Sequence, residues 1–244
     1  METNFKAIGI DEKLEKTLNK NGITEPTPVQ EQAIPEILKG NDVIAQAQTG
    51  TGKTLGFMLP IMEDINENQA FIQALIITPT RELAIQVTNE AKKLNSFKDV
   101  NILSVYGGQD IVKQLKKLKR GVHIVVGTPG RLLDHIRRRS INLSKLETLV
   151  LDEADEMLNM GFLKDIEAIM DETPKQRQTM LFSATIPRQL RSLATRYMKN
   201  PSQIKAEGDN ITLDEIKQKV IETTDRGKQD ALCKVIDEEN LRTL

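Results

Sequence analysis

The sequence predicts an α/β fold, with a mostly parallel, twisted sheet that carries helices on both faces. Short apolar runs rich in β-branched residues recur along the chain, and most are followed by a stretch with apolar residues at three-to-four spacing. Strands that alternate with helices indicate a parallel sheet, because each helix returns the chain to the same end of the sheet and packs on one of its faces.

The predicted strands are short, apolar and bounded by polar or turn-forming residues. They lie, in order, at residues 43–47, 74–78, 102–106, 123–127, 148–152 and 179–183. The predicted helices between them include residues 82–94, 110–119 and 130–137. Ligands of such sheets bind beyond the carboxyl ends of the strands. We therefore expect the functional residues at the points where these strands end.

Composition excludes several classes of protein. The 244 residues are 39% hydrophobic and 28% charged, which is ordinary for a soluble globular protein. No apolar run approaches the roughly 20 residues of a membrane span, and the N-terminus lacks a signal-peptide pattern. The single Cys233 excludes an internal disulfide, and no Cys/His cluster suggests zinc. We expect a cytoplasmic protein. Its net charge of −1 gives no general attraction for nucleic acid, so any such site must be local.

The chain is predicted to contain two regions. Residues 1–206 form the α/β domain, and a change of composition at residues 207–210 is typical of a linker. A short strand at residues 219–222 and a helix at residues 227–238 are predicted beyond it. Because the chain stops at the onset of an apolar run, we expect it to be a fragment. In this interpretation residues 207–244 are a linker and the truncated start of a second domain.

A glycine-rich segment follows the first predicted strand and is typical of phosphate binding. It reads Ala47-Gln48-Thr49-Gly50-Thr51-Gly52-Lys53-Thr54. The segment matches the pattern G-x-x-x-x-G-K-[ST] except at Ala47. Gly50 and Gly52 let successive N–H groups converge on phosphate oxygens, and a helix that begins near Lys53 adds its positive end. Lys53 would contact the outer phosphates and Thr54 would ligate Mg²⁺. The alternative is a simple glycine turn between a strand and a helix.

Two adjacent acids, Asp152 and Glu153, follow the apolar run of the fifth predicted strand. Mg²⁺ prefers oxygen ligands and keeps several waters, one of which Asp152 can hold. Glu153 can orient and deprotonate an attacking water. The alternative is an acidic loop that caps a helix at residues 156–158. Beside the glycine-rich segment, these acids predict a protein that binds and splits a nucleoside triphosphate.

Further motifs accompany these two along the chain. They are Gly22-Ile23-Thr24-Glu25-Pro26-Thr27-Pro28-Val29-Gln30 with Phe5 upstream, Pro79-Thr80-Arg81-Glu82-Leu83-Ala84, Gly107-Gly108, Thr128-Pro129-Gly130-Arg131 and Ser183-Ala184-Thr185. Together with the tetrad Asp152-Glu153-Ala154-Asp155, they resemble the N-terminal core domain of DEAD-box ATP-dependent RNA helicases. That resemblance implies a RecA-like P-loop NTPase domain. It also accounts for Ala47, which stands where that family's form of the loop has alanine.

The resemblance implies ATP and Mg²⁺ as cofactors and assigns roles to individual residues. Residues 5–30 would sense adenine, with Gln30 reading the base and Phe5 stacking on it. Asp155, Ser183, Ala184 and Thr185 would couple the nucleotide state to strand separation. The backbone of single-stranded RNA would be held by Pro79, Thr80, Arg81, Gly108, Gln109, Thr128, Arg131, Gly161 and Phe162.

Each of these assignments has a plainer alternative. Gln30 could be a surface residue after a rigid turn, Thr80 only a helix cap, and Phe162 only a core residue. Lys113, Lys116, Lys117, Lys119 and Arg120 are expected to form a solvated helix face, and His123 and His135 to be structural. The alternatives for the whole chain are a DNA translocase or a non-catalytic RNA-binding module.

The resemblance also implies a second RecA-like domain. That domain would supply arginine fingers and the other half of the RNA groove. We therefore expect this chain alone to bind nucleotide weakly and to hydrolyse it poorly.

Overall fold

The computed structural model describes residues 4–206 and 220–238. The chain divides into two compact units, the first ending at Gly208 and the second beginning at Asp209. The first unit contains a single sheet of parallel strands. Its strands are β1 (Val43–Gln46), β2 (Ala74–Ile77), β3 (Ile102–Val105), β4 (Ile124–Gly127), β5 (Thr148–Leu151), β6 (Gln178–Ser183) and β7 (Ser202–Lys205). From edge to edge the order of the seven strands is β3-β4-β2-β5-β6-β1-β7.

The predicted α/β fold is confirmed, and each predicted strand forms within about one residue of its predicted bounds. Strand β7 was not predicted from the sequence. Among the described strands this edge strand pairs with β1, and Ile204 is its one buried side chain. A strand with so little apolar character leaves no periodic pattern to recognise.

Helices cover both faces of the sheet. They are α1 (Glu12–Lys20), α2 (Pro28–Leu38), α3 (Lys53–Asp64), α4 (Arg81–Lys93), α5 (Ile111–Leu118), α6 (Pro129–Arg137), α7 (Ala154–Asn159), α8 (Leu163–Asp171) and α9 (Arg188–Tyr197). Helices α1 to α4 pack into one core and α6 to α9 into the other. Within the described ranges, no helix is both long enough and apolar enough to cross a membrane.

Successive side chains of the inner strands enter different cores. On β5, Val150 contributes to the core under α1 to α4, whereas Leu149 and Leu151 contribute to the opposite one. Strands buried on both faces read as continuous apolar runs, because every side chain lies in an interior. This explains why β1, β2, β4, β5 and β6 were the easiest elements to predict.

Capping hydrogen bonds fix the starts of α4 and α5 close to the ends of β2 and β3. The Thr80 hydroxyl accepts a hydrogen bond from the Leu83 N–H at 3.2 Å, and the Asp110 carboxylate accepts one from the Val112 N–H at 2.8 Å. Pro129 occupies the first turn of α6, where its missing N–H costs nothing. The loops between strands and helices therefore stay short, and their side chains gather at the carboxyl edge of the sheet.

The second unit contains a short 3-10 helix at Asp225–Gly227 and a helix, α10 (Lys228–Glu238). The predicted helix at residues 227–238 is confirmed. The predicted strand at residues 219–222 is wrong for residues 220–222, which have no regular structure; residue 219 lies outside the described ranges. A strand needs a neighbouring strand to complete its hydrogen bonds, and among the described residues none pairs with this segment.

Candidate nucleotide site and nucleic-acid interface

The glycine-rich segment leaves the carboxyl end of β1 and leads directly into α3. Gly50 and Gly52 have φ angles of +85° and +87°, a left-handed conformation that other residues rarely adopt. A Cβ atom on Gly52 would also lie 2.5 Å from the Gln30 side-chain nitrogen. Thr51 closes the turn by donating from its hydroxyl to the Gln48 carbonyl at 2.7 Å. Glycine is therefore required at both positions by the path of the loop.

Gln30 holds this loop against α2. Its Nε2 donates to the Gly52 carbonyl at 2.9 Å, and its Oε1 accepts from the Thr27 N–H at 3.0 Å. The side chain is buried, so the alternative of a surface residue is wrong. An amide used in this way fixes the loop at the start of α3; its predicted reading of adenine stays a prediction.

Lys53 is the first residue of α3 and is only 6% exposed. Its Nζ atom is buried and has no hydrogen-bond partner in the part of the chain that the structure describes. A buried ammonium without a partner carries a large desolvation cost, which an anion at the same place would offset. The side chain is therefore suited to hold a phosphate group.

The loop and the two acids line a single cleft of about 290 Å³. Its walls are Thr49, Gly50, Gly52, Lys53, Thr54, Leu55, Leu83, Gln86, Glu90, Asp152 and Glu153. The structure therefore brings the Lys-Thr end of the loop and the acids after β5 together. Ala47, by contrast, is buried beneath the loop. A larger cavity of about 610 Å³, between α9 and the β1–β7 edge, contains none of the predicted site residues.

Asp152 is 2% exposed, and burial raises the pKa of its carboxyl to about 7. The Lys53 ammonium lowers this pKa in part, whereas the neighbouring Glu153 carboxylate raises it. The Glu153 N–H donates to Oδ1 of Asp152 at 3.0 Å. A carboxyl group of this pKa is balanced between its two forms near neutral pH, so a cation in the cleft would readily displace its proton.

Glu153 has a left-handed backbone, with φ and ψ both at 51°. This conformation is rare for a residue with a side chain and persists only where the surroundings impose it; such residues cluster at functional sites. Glu153 occupies the position that caps α7, yet its side chain makes no capping hydrogen bond. The alternative of a simple helix cap therefore fails for Glu153, whose side chain lines the cleft instead.

The segment 183–185, at the end of β6, bonds to Asp155 of α7 and to Gln46 of β1, because β6 lies between β5 and β1. The Thr185 N–H and hydroxyl donate to Oδ2 of Asp155 at 2.8 and 2.9 Å, and the Asp155 N–H donates to the Ser183 hydroxyl at 3.0 Å. On the other side, Gln46 donates to the Ala184 carbonyl at 3.1 Å. Burial alone would raise the pKa of Asp155, but these hydroxyl and N–H donors outweigh it and lower that pKa.

Most of the predicted RNA-binding residues gather at the other half of the same edge, after β2, β4 and β3. The Arg81 guanidinium stacks over the Tyr106 ring, with its Cζ 5.1 Å from the ring centroid. A Cβ atom on Gly108 would lie 3.5 Å from Nη1 of Arg81. Arg131 donates to the Gln109 carbonyl at 3.2 Å. Pro79, Thr80 and Thr128 lie in the same junctions. The hydroxyl of Thr80 is the helix cap that the alternative foresaw, whereas that of Thr128 caps nothing.

Gly161 and Phe162 lie elsewhere, in the turn between α7 and α8. Phe162 packs against the core under α6 to α9, as its alternative foresaw. Phe5 also differs from expectation: its side chain is fully buried in the opposite core and offers no open face to a base. The structure gives Phe5 a packing role. Stacking on adenine would require the groups that cover its ring to move, and it stays a prediction.

Several residues of these sites were not predicted from the sequence, among them Gln86, Glu90 and Gln114. Gln86 and Glu90 of α4 line the cleft only because α4 packs beside α3, which no local pattern reveals. Gln114 of α5 is 2% exposed and bonds to Gln109 and Arg131. A signal for Gln114 did exist, since a polar residue three positions after Ile111 lies on the apolar face of that helix.

Comparisons with known proteins agree on one family. A family model described as DEAD/DEAH box helicase matches residues 27–193. An ATP-dependent RNA helicase CshA of Listeria monocytogenes is 51% identical over 96% of this chain and 45% of its own length. The CshA helicase of Geobacillus kaustophilus is 47% identical over 96% of this chain and 50% of its own length. The chain thus spans about half the length of the curated relatives it matches.

Solved structures show the same similarity in three dimensions. A DEAD box protein from the hyperthermophile Methanococcus jannaschii superposes with a TM-score of 0.81 at 43% identity, over 96% of this chain and 63% of that one. A hypothetical ATP-dependent RNA helicase from Sulfolobus tokodaii gives a TM-score of 0.74 at 38% identity, over 81% of this chain and 57% of that one.

Proposed function

The chain belongs to the DEAD/DEAH box helicase family, and we propose that it is the nucleotide-binding half of an ATP-dependent RNA helicase. In this proposal it binds ATP with Mg²⁺ and the backbone of single-stranded RNA, and hydrolysis drives local strand separation. The observation that carries the proposal is the buried Lys53 ammonium, which has no hydrogen-bond partner among the described residues and lies in the same cleft as Asp152 and Glu153.

The residues of the cleft fit a magnesium-bound triphosphate. The N–H groups around Gly50 and Gly52 and the Lys53 ammonium would hold the outer phosphates. Thr54 and Asp152 would hold Mg²⁺, directly or through water, and the pKa of Asp152 near 7 suits a carboxyl that ionises when a cation arrives. A bound Mg²⁺ supplies neutralisation of the phosphate charge. Glu153, which no capping bond occupies, would orient a water and take its proton.

RNA would lie across the ends of β2, β4 and β3, beside the nucleotide. Support comes from the guanidinium groups of Arg81 and Arg131 and from the left-handed Gly108, at the junctions that follow these strands. Contacts of this kind hold phosphates and do not read bases. The proposed interface is therefore indifferent to sequence.

The segment 183–185 would couple the two activities. It bonds to Asp155, two residues after the cleft acids, and to Gln46, the last residue of β1 before the phosphate loop. A change at the outer phosphate would thus be transmitted both to α7, which follows β5, and to β1. In this proposal a second RecA-like domain, outside this chain, supplies arginine fingers and the remainder of the RNA groove. The chain alone is then expected to turn over ATP poorly.

Nucleotide binding is tested by Lys53→Ala. Charge-assisted hydrogen bonds contribute about 1.5 to 3 kcal/mol, so affinity for Mg-ATP should fall roughly 10- to 100-fold in a calorimetric or fluorescence titration. Lys13→Ala, which removes an exposed lysine from α1, is the control for net charge and should bind as the unaltered chain does. Unchanged affinity in Lys53→Ala would remove the phosphate role of Lys53.

Catalysis is tested in the full-length protein by Glu153→Gln. The variant should keep its affinity for ATP and RNA and lose turnover, because an amide cannot accept the proton of water. Turnover near that of the unaltered protein would exclude Glu153 as the base. Equal stimulation of the unaltered enzyme by DNA and RNA would instead favour a DNA translocase over an RNA helicase.

A further inference from the structure

Gln114 lies inside the protein at the centre of the proposed RNA interface. It is 2% exposed, although it belongs to α5, whose other residues are exposed or half-buried. Its Nε2 donates to the Tyr106 carbonyl at 3.2 Å and to Oε1 of Gln109 at 3.3 Å. Its Oε1 accepts from Arg131 at 3.1 Å and faces Nε2 of His135 at 2.9 Å. All the hydrogen-bonding capacity of the amide is therefore used.

The orientation of this amide follows from its neighbours. The Tyr106 carbonyl can only accept, so the amide nitrogen must face it, and the amide oxygen must face Arg131 and His135. Because that oxygen can only accept, His135 carries a proton on Nε2. Its Nδ1 lies 2.8 Å from the Ser140 hydroxyl, so both ring nitrogens of this fully buried imidazole have partners.

This one amide joins the loop after β3 to α6, the helix that follows β4. Tyr106 and Gln109 follow β3, and Arg131 and His135 belong to α6, which follows β4. The link extends to β2, because Arg81 stacks over the Tyr106 ring. The predicted RNA-binding residues Arg81, Gln109 and Arg131 thus depend on Gln114, directly or through one intermediate. Gln114 itself is too buried to touch a nucleic acid.

We propose that Gln114 is the positioning residue of the RNA interface: it sets the places of Arg131 and Gln109 without contacting RNA. This inference rests on the proposed function. No other residue type satisfies the same four contacts. A glutamate would lose both donors and pair with Arg131, which withdraws that guanidinium from phosphate. A leucine would leave the His135 N–H without a partner and Arg131 held only by the Gln109 carbonyl.

The chain offers a matched control in Gln73. This glutamine is also buried, at 1% exposure, and its amide makes three hydrogen bonds, to the N–H and carbonyl of Asn66 and to the carbonyl of Gln69. It precedes β2, at the amino edge of the sheet, opposite to the proposed interface. Gln73→Leu should therefore destabilise the fold as Gln114→Leu does, with no local effect on RNA binding.

The test is an NMR titration of the chain and its variants with a uridine hexanucleotide and, separately, with Mg-ADP, alongside thermal unfolding. Gln114→Leu should weaken RNA binding roughly tenfold, as expected for a lost hydrogen bond to a charged group, and leave Mg-ADP affinity within about twofold. Gln73→Leu should lower the unfolding midpoint similarly and leave RNA affinity within about twofold. Gln114→Glu, which keeps both acceptor contacts and the shape, should also weaken RNA binding several-fold.

The inference is overturned if Gln114→Leu or Gln114→Glu binds RNA as the unaltered chain does. It is equally overturned if Gln73→Leu weakens RNA binding as much as Gln114→Leu. An unaltered chain whose resonances do not respond to RNA would instead remove the proposed RNA interface, and the role of Gln114 with it.

Discussion

Two carboxylates three positions apart show how strongly placement alone governs charge. Asp152 is buried directly after β5, and this burial raises its pKa to about 7. Asp155 lies in the first turn of α7, where hydrogen bonds from Ser183 and Thr185 offset its burial and lower its pKa. Near neutral pH the first residue therefore exchanges its proton while the second stays ionised. The proposed metal-side group and the coupling group differ by environment, not by chemical type.

The raised pKa of Asp152 predicts a pH-dependent gain in stability for Asp152→Asn. Between an ordinary value of 3.8 and about 7, the unfolded chain releases this proton while the folded chain keeps it, so folded stability falls as pH rises. The substitution removes that loss. Chemical denaturation should show a gain at about pH 8 that exceeds the gain at about pH 5 by roughly 2 to 3 kcal/mol.

Asp155→Asn is the control for this experiment. Its lowered pKa contributes stability that is present above the ordinary value of 3.8 and is lost only as pH falls through the still lower pKa of the folded chain. The substitution should therefore destabilise the protein equally at both pH values. A gain in Asp152→Asn that does not vary with pH would contradict the assigned titration.

At the scale of the element, the C-terminal end of α6 supports the proposed RNA interface. The helix ends at Arg137, and Arg139 then adopts a left-handed conformation with φ of +53°. Its N–H donates to the Ile136 carbonyl at 2.8 Å, and the Ser140 N–H donates to the His135 carbonyl at 2.9 Å. This turn places the Ser140 hydroxyl against His135, and hence supports Gln114.

Arg139→Gly is expected to stabilise the protein by about 1 kcal/mol, because glycine adopts the left-handed conformation at a helix end without strain. Arg137→Gly, within the last helical turn, should cost about 0.5 to 1 kcal/mol. Both variants remove one arginine from the same helix end, so the loss of favourable charge at the helix dipole is common to them. Denaturation midpoints that move in the same direction would contradict the explanation.

At the scale of the whole sheet, the strand order divides one edge into two functional halves. The loops after β1, β6 and β5 contain the proposed nucleotide and coupling residues, and those after β2, β4 and β3 contain most of the proposed RNA residues. The two halves meet at the neighbouring strands β5 and β2, in the middle of the sheet. Strands with all four residues buried occupy this middle, and the strands at the edges, β3 and β7, are partly exposed.

This arrangement predicts a gradient of hydrogen exchange across the sheet. Amides of β2 and β5 are enclosed by strands and helices and should exchange only through global unfolding, whereas those of β7 should open locally at a free energy several kcal/mol lower. Exchange followed by mass spectrometry at peptide resolution measures the difference. Protection of β7 equal to that of β5 would mean that the sheet opens only as a whole.

Elements whose residues are all apolar could be predicted from the sequence, whereas elements and residues placed by long-range contacts could not. The strands that are buried on both faces were predicted, since every residue of a run such as Leu149 and Val150 is apolar. β7 was not predicted, because Ile204 is the one apolar residue in its sequence. The exposed face of α5 was predicted correctly, with Lys113, Lys116 and Lys117 all exposed. Phe5, predicted to stack on adenine, lies in the core, and its contact with a base stays a prediction. Aromatic character alone does not distinguish the two environments.

The amino-acid sequence by itself determined the alternation of strands and helices, the family, and the two motifs that face the cleft. These features are local: an apolar period, a cap, or a glycine that must adopt a positive φ acts within a few residues of the chain. Only the tertiary structure decided that β6 separates β5 from β1, that Lys53 is buried without a hydrogen-bond partner among the described residues, and that Gln114 joins the loop after β3 to α6. Burial, pKa and hydrogen-bond partners depend on residues far apart in the chain, and those neighbours exist only once the sheet is assembled.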